Sequence, residues 1–133
     1  MKLSDIHDQI MFQTNNDSDD LGDYLPHLND YINEGYDRIV VVWDSKHVPS
    51  DDYPALMKDK DEPDLPEWMH RYIADWATWL CYRNGNPQKQ QRGRAYWQHF
   101  MELLSKISDG GGKAGFNEDG SLKKYKNFFN IPK

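Results

Sequence analysis

Residues 67–87 read Glu67-Trp68-Met69-His70-Arg71-Tyr72-Ile73-Ala74-Asp75-Trp76-Ala77-Thr78-Trp79-Leu80-Cys81-Tyr82-Arg83-Asn84-Gly85-Asn86-Pro87. Apolar side chains at 68, 69, 72, 73, 76, 77, 80 and 81 recur every three to four positions, which places them on one face of an α-helix. The spacing predicts a helix from near Leu65, with Pro66 in the first turn, and Asn84-Gly85 supply the stop. Asn86-Pro87 then reads as the cap and first residue of a second helix, carried by Tyr96, Trp97, Phe100, Met101, Leu103, Leu104 and Ile107 to Asp109. Only Asn84-Gly85-Asn86 separate the two, so they are expected to form an antiparallel hairpin.

Upstream, Leu21, Leu25, Leu28, Ile32, Tyr36, Ile39, Val40 and Trp43 make one continuous helical stripe. Pro26 is tolerated only in a first turn, so the regular helix is expected to begin at Asp23 or Tyr24 and to end near Trp43. Ile39-Val40-Val41-Val42 could be a short strand, but it continues the 3.6 period and is read as helix. Gly35, in mid-helix, costs ~1 kcal/mol against alanine and predicts close approach of another helix. A short helix over Ser4–Phe12, capped by Ser4, precedes a break at Asn15–Asp20. Residues 44–64, with three prolines and many aspartates, read as a long acidic loop and candidate contact arm, anchored by Val48, Tyr53, Leu56 and Met57. Gly110-Gly111-Gly112 reads as a hinge. The expected fold is all-α: a bundle of four to five helices over 1–109, with a Gly-hinged C-terminal tail over 110–133. The expected core comprises Leu28, Ile32, Tyr36, Trp76, Leu80, Trp97, Phe100 and Leu104.

At 133 residues the chain fits one compact domain, and its 14% aromatic content supplies buried surface that a disordered chain lacks. The longest apolar run, Ile39–Trp43, is far short of the ~20 residues of a membrane span. Met1-Lys2-Leu3-Ser4-Asp5 leads into polar residues instead of a signal core, so the expected compartment is a cytoplasm. Net charge is −6, but residues 1–64 hold 16 acidic against 5 basic side chains and residues 65–133 hold 6 against 11. Such asymmetry suits head-to-tail contact between copies, or a basic face near nucleic acid.

No pattern for catalysis emerges. His7, His27, His47, His70 and His99 share no zinc-ligand spacing, and Asn117-Glu118-Asp119-Gly120-Ser121 lacks the closing glutamate of a calcium loop. Gly110–Gly115 has neither the strand before it nor the Gly-Lys-Ser/Thr after it that a phosphate loop requires. Cys81 lies in an apolar helical setting that raises a thiol pKa. The expectation is no enzyme, no cofactor and no metal. Gln88-Lys89-Gln90-Gln91-Arg92-Gly93-Arg94, with Arg71 and Arg83, is basic enough to touch phosphate, although a pI near 5.2 opposes tight nucleic-acid binding.

Two stretches resemble tailed-bacteriophage head–tail connector proteins, the adaptor or head-completion class. The first is Leu25-Pro26-His27-Leu28-Asn29-Asp30-Tyr31-Ile32-Asn33-Glu34-Gly35-Tyr36-Asp37-Arg38-Ile39. The second is Trp68 to Gly93, which looks like the central hairpin of a prophage-encoded subgroup. With Phe12-Gln13-Thr14-Asn15-Asn16-Asp17 the resemblance covers most of residues 5–107. It implies a helical subunit in a ring of about a dozen copies under the portal protein, extending the DNA channel toward a tail-side stopper or tail-completion protein. DNA would pass without sequence-specific binding, and acidity suits a conduit that must repel phosphate. No membrane is implied; the place is the head–tail junction of the virion, and the host cytoplasm during assembly. By analogy, portal contact falls on Phe116, Tyr125, Phe128 and Phe129, and subunit contact on Asp51, Asp52, Arg92 and Arg94. The alternative is a small cytoplasmic nucleic-acid-associated regulator using residues 89–94.

Overall fold

A computed structural model of the chain describes residues 1–14, 24–45 and 52–123. The fold is all-helical: α1 (Leu3–Gln13), a 3-10 turn (Leu25–His27) leading into α2 (Leu28–Trp43), α3 (Glu67–Arg83), α4 (Pro87–Asp109) and a final 3-10 turn (Gly112–Gly115). Among the described residues there is no strand, only one antiparallel bridge between Phe116 and Leu122. Ile39–Val42 is helical, as its period required. The turn containing Pro26 is 3-10, so the α-helix starts at Leu28, later than the Asp23 or Tyr24 expected from the sequence. Proline lacks the N–H for a continuous ladder and so separates the two pieces.

Helix α3 is the centre of the bundle. It packs against α1, α2 and α4, so side chains are buried almost all round it, from Met69 and Ile73 to Trp76, Leu80 and Tyr82. Glycines set two of these packing distances. A Cβ on Gly35 would lie 3.1 Å from Cβ of Trp76, the close approach of α2 to another helix that a mid-helix glycine foretold. A Cβ on Gly93 would lie 2.7 Å from Cβ of Tyr82 and 2.9 Å from Cε3 of Trp79, so α4 lies directly on α3. The hairpin turn is held by Asn86, whose Oδ1 accepts from the Lys89 amide (2.9 Å). Trp76 bridges three helices: its ring lies 4.8 Å from that of Phe100, the Arg38 guanidinium sits 4.5 Å over it, and its indole N–H donates to Glu34 (3.4 Å).

Of the expected core, Leu28, Ile32, Tyr36, Trp76, Leu80 and Phe100 are buried. Leu104 is half-buried at the edge, and Trp97 is 36% exposed, which removes it from the core. On the α4 helical wheel Gly93, Phe100 and Ile107 define the buried line, and Trp97 falls to one side of it.

The acidic segment after α2 is less of an arm than its composition suggests. Within 52–66, Tyr53 and Leu56 are buried while Met57 is 77% exposed; Val48 and Asp51 lie outside the described residues. Asn33 on α2 grips the backbone of Leu56 at both ends, donating to its carbonyl (2.9 Å) and accepting from its amide (2.7 Å). Asp61 closes a turn by accepting from the amides of Met57 and Lys58, which holds its carboxyl below the usual range. The same segment caps α1: the amides of Leu3 and Ser4 donate to the carbonyls of Asp61 (2.7 Å) and Asp59 (3.2 Å). Helix α1 therefore begins at Leu3, and its first N–H groups are satisfied by tertiary carbonyls instead of the Ser4 hydroxyl expected from the sequence.

The three glycines after α4 also depart from the hinge reading. Gly111 and Gly112 have φ of 86° and 68°, a left-handed path that reverses the chain. Gly110 and Gly112 are buried, and a Cβ on Gly112 would lie 2.8 Å from the Trp43 carbonyl oxygen. Phe116 comes next in the core, 3% exposed, with its ring 5.9 Å from Trp43 and 5.8 Å from Trp68. Residues 110–123 thus join the helical core as a fixed turn, and 124–133 lie outside the described residues.

Candidate functional site

The two arginines expected at a subunit or phosphate contact flank Gly93, and both are exposed. Positions two apart on an α-helix are about 200° apart around its axis, so with Gly93 pressed on α3, Arg92 and Arg94 emerge on opposite flanks of α4. Asp52 is exposed, whereas its neighbour Asp51 is outside the described residues. The basic stretch 89–94 is therefore two separate flanks, one with Lys89 and Arg92 and the other with Gln90, Arg94 and Trp97. Phe116, expected to face a portal, is instead buried between two tryptophans and is not available as a surface contact. Tyr125, Phe128 and Phe129 lie outside the described residues.

Among the concavities of the described surface are two beside α3. The first, about 420 Å³, lies between α3 and α4 and is lined by Arg71, Tyr72, Asp75, His99, Glu102 and Lys106, among others. Asp75 is the feature that sequence reading missed. It is 3% exposed, its Oδ1 accepts from the Gln13 side-chain amide (2.9 Å), and Gln13 in turn accepts from the Thr78 hydroxyl (2.6 Å). This chain of bonds fastens the end of α1 to α3. Burial pushes the Asp75 carboxyl above its ordinary range, opposed by the Gln13 bond and by the charges of His99 and Arg71. Spacing carried no signal for it: position 75 lies off the apolar stripe of α3, and Asp75 is buried because α1 packs against that side of the helix.

The second, about 700 Å³, opens between the end of α2, the start of α3 and the final turn; Trp43, Tyr53, Leu65 and Phe116 form its apolar walls. Asp64, Glu67 and Glu118 supply carboxylates, and Lys113 and Lys123 supply cations. The Tyr53 hydroxyl donates to Asp44 (2.8 Å), and burial with this bond raises its pKa. Tyr36 accepts from the Asp64 amide (2.8 Å), tying the floor of the cleft to α2.

Cys81 is buried and its thiol pKa is pushed up to about 12, so it is a packed side chain and no nucleophile at neutral pH. Among the described residues, no group of three or more His, Cys, Asp or Glu side chains is placed to hold a metal ion. No described helix is long and apolar enough to cross a membrane. Comparison with family models, with curated proteins and with solved structures finds no match to this chain.

Proposed function

We propose that this chain is a structural protein of a tailed phage or prophage, a non-enzymatic connector subunit that binds beneath the portal and joins head to tail. The observation that carries the reading is the resemblance of residues 25–39 and 68–93 to head–tail connector proteins. These stretches correspond to α2 with its leading turn and to the α3–α4 hairpin, and they pack on each other through Gly35 and Trp76. An acidic first half and a basic second half would let neighbouring copies meet through unlike surfaces in a ring of about a dozen subunits. The virion junction, and the host cytoplasm during assembly, are the corresponding locations.

A nucleic-acid regulator using residues 89–94 has less in its favour, because Arg92 and Arg94 leave α4 on opposite flanks and do not build one phosphate-binding face. The deciding experiment is co-sedimentation of the full chain with the portal ring encoded in the same genome, followed by negative-stain imaging. Stoichiometric decoration of one end of the portal supports the connector and counts its copies. No association at low salt, with a DNA fragment shifted instead and the shift lost on adding salt, replaces it with the nucleic-acid reading.

A further inference from the structure

The 420 Å³ cleft between α3 and α4 carries opposite charge at its two ends. The helices run antiparallel: Trp76 is level with Phe100, their rings 4.8 Å apart, and Trp68 is level with Lys106, whose ammonium lies 4.8 Å from the indole. That register puts Asp75 beside His99 at one end of the cleft and Lys106 at the other. Tyr72 and Leu103 stand midway, flanked by Arg71 and Glu102. The seven residues from 68 to 75 rise about 10 Å along the axis, which sets the length of the cleft.

The Asp75 end is short of a donor. Asp75 is 3% exposed, its Oδ1 accepts from Gln13, and its Oδ2 makes no hydrogen bond among the described residues. A buried carboxylate with an unmet acceptor is costly, and the raised pKa of this carboxyl has the same origin. The opposite end is cationic, since Arg71 and Lys106 bring two positive charges against the one negative charge of Glu102. Arg71 and Asp75 are one turn apart on α3, the spacing of an ion pair, yet they do not form one; Arg71 and Glu102 are exposed and unpaired among the described residues. The cleft therefore keeps its charges available. A simple cation would meet repulsion from Arg71 and Lys106, and a simple anion would leave Asp75 without its donor.

We propose that this cleft binds a small zwitterion of the ω-amino-acid class, with its ammonium on Asp75, its methylenes along Tyr72 and Leu103, and its carboxylate toward Arg71 and Lys106. The volume is that of a small-molecule site. Asp75 and Arg71 differ by about 6 Å in level, and a chain of five methylenes holds an ammonium and a carboxylate roughly 7 Å apart. The site is independent of the connector reading, because it belongs to a single copy and needs no portal, ring or nucleic acid.

The test is titration of the full-length chain with 6-aminohexanoate, hexanoate and hexylamine, followed through backbone amide resonances. The zwitterion is expected to shift the amides of Tyr72, Asp75 and Leu103 with a millimolar Kd, the affinity suited to roughly nine non-hydrogen atoms. Each single-charge analogue is expected to bind about tenfold more weakly, because one end of the cleft goes unmatched. Arg71→Gln, a surface change that leaves the core intact, is expected to weaken the zwitterion about fivefold and leave hexylamine no weaker. Asp75→Asn, which keeps the acceptor for Gln13, is expected to bring the zwitterion down to the affinity of hexanoate. No shift at the cleft with about 50 mM 6-aminohexanoate, analogues that bind as tightly as the zwitterion, or an Arg71→Gln protein with unchanged affinity would each overturn the assignment.

Discussion

Replacing Gly93 by alanine sets two opposing effects against each other inside α4. In a helix interior, alanine is favoured over glycine by about 1 kcal/mol, so an open site would be stabilised. The added methyl, however, would sit 2.7 Å from Cβ of Tyr82 and 2.9 Å from Cε3 of Trp79, where carbon contacts settle at roughly 3.5–4.0 Å. Cβ of Tyr82 is fixed to the α3 backbone and cannot rotate away, so α4 must move outward by almost an ångström. Overpacking of this kind costs about 1–3 kcal/mol, and the shift also loosens the packing of Tyr82, which is 5% exposed. The expected net effect is a loss of about 1–2 kcal/mol, a fall in Tm of roughly 3–8 °C. Gly35→Ala provides the contrast: its methyl would lie 3.1–3.3 Å from Trp76, a conflict relieved by a few tenths of an ångström, and stability is expected to stay within about 1 kcal/mol of the original. Gly35→Leu, by placing a whole isobutyl group against Trp76, is expected to abolish folding. Urea unfolding followed by circular dichroism and tryptophan fluorescence reads all three, and Ala95→Gly at an exposed position of α4 calibrates the helix preference. A Gly93→Ala protein as stable as the parent, with Ala95→Gly destabilised by about 1 kcal/mol, would refute the claim that glycine is there to bring α4 onto α3.

Phe116→Ala is expected to cost about 3–5 kcal/mol in urea unfolding, as for a large core aromatic; a loss below about 1 kcal/mol would return Phe116 to the surface. Asn33→Ala leaves both the amide and the carbonyl of Leu56 without their partner, so a loss of about 1–3 kcal/mol is expected, with faster hydrogen exchange at the Leu56 amide. Unchanged exchange there would mean that the 52–66 segment is held by other contacts. Asp75→Asn keeps the acceptor for Gln13 while removing a buried charge. Because the folded pKa of Asp75 is raised, its relative contribution is complete below the unfolded value of 3.8 and is lost as pH rises through the folded value. The asparagine variant is therefore expected to gain stability over the parent at pH 7 and to lose that advantage near pH 3; a pH-independent difference in unfolding free energy would contradict a buried, charge-penalised carboxyl.

Helix content was written into local pattern: the stripes of α2, α3 and α4, the Asn86-Pro87 start, and even the glycine at 35 that brings α2 to Trp76 are all legible from spacing, because helix periodicity and capping act within a few residues. Other features depended on which distant groups came together. A run of aspartates and prolines reads as solvated whether or not Asn33 is there to take its backbone, and Asp59 and Asp61 cap α1 through carbonyls that every residue possesses. Three glycines spell freedom in isolation, yet Gly112 becomes fixed because only a residue without Cβ fits against the Trp43 carbonyl, and Phe116 is buried as a result. Asp75 looks like a surface charge until α1 delivers Gln13 to it. The sequence by itself determined where helices form, since that is decided by neighbours in the chain. Only the tertiary structure decided which polar groups are satisfied and which aromatics are buried, since those depend on partners distant in the chain, such as Gln13 for Asp75, 62 positions away.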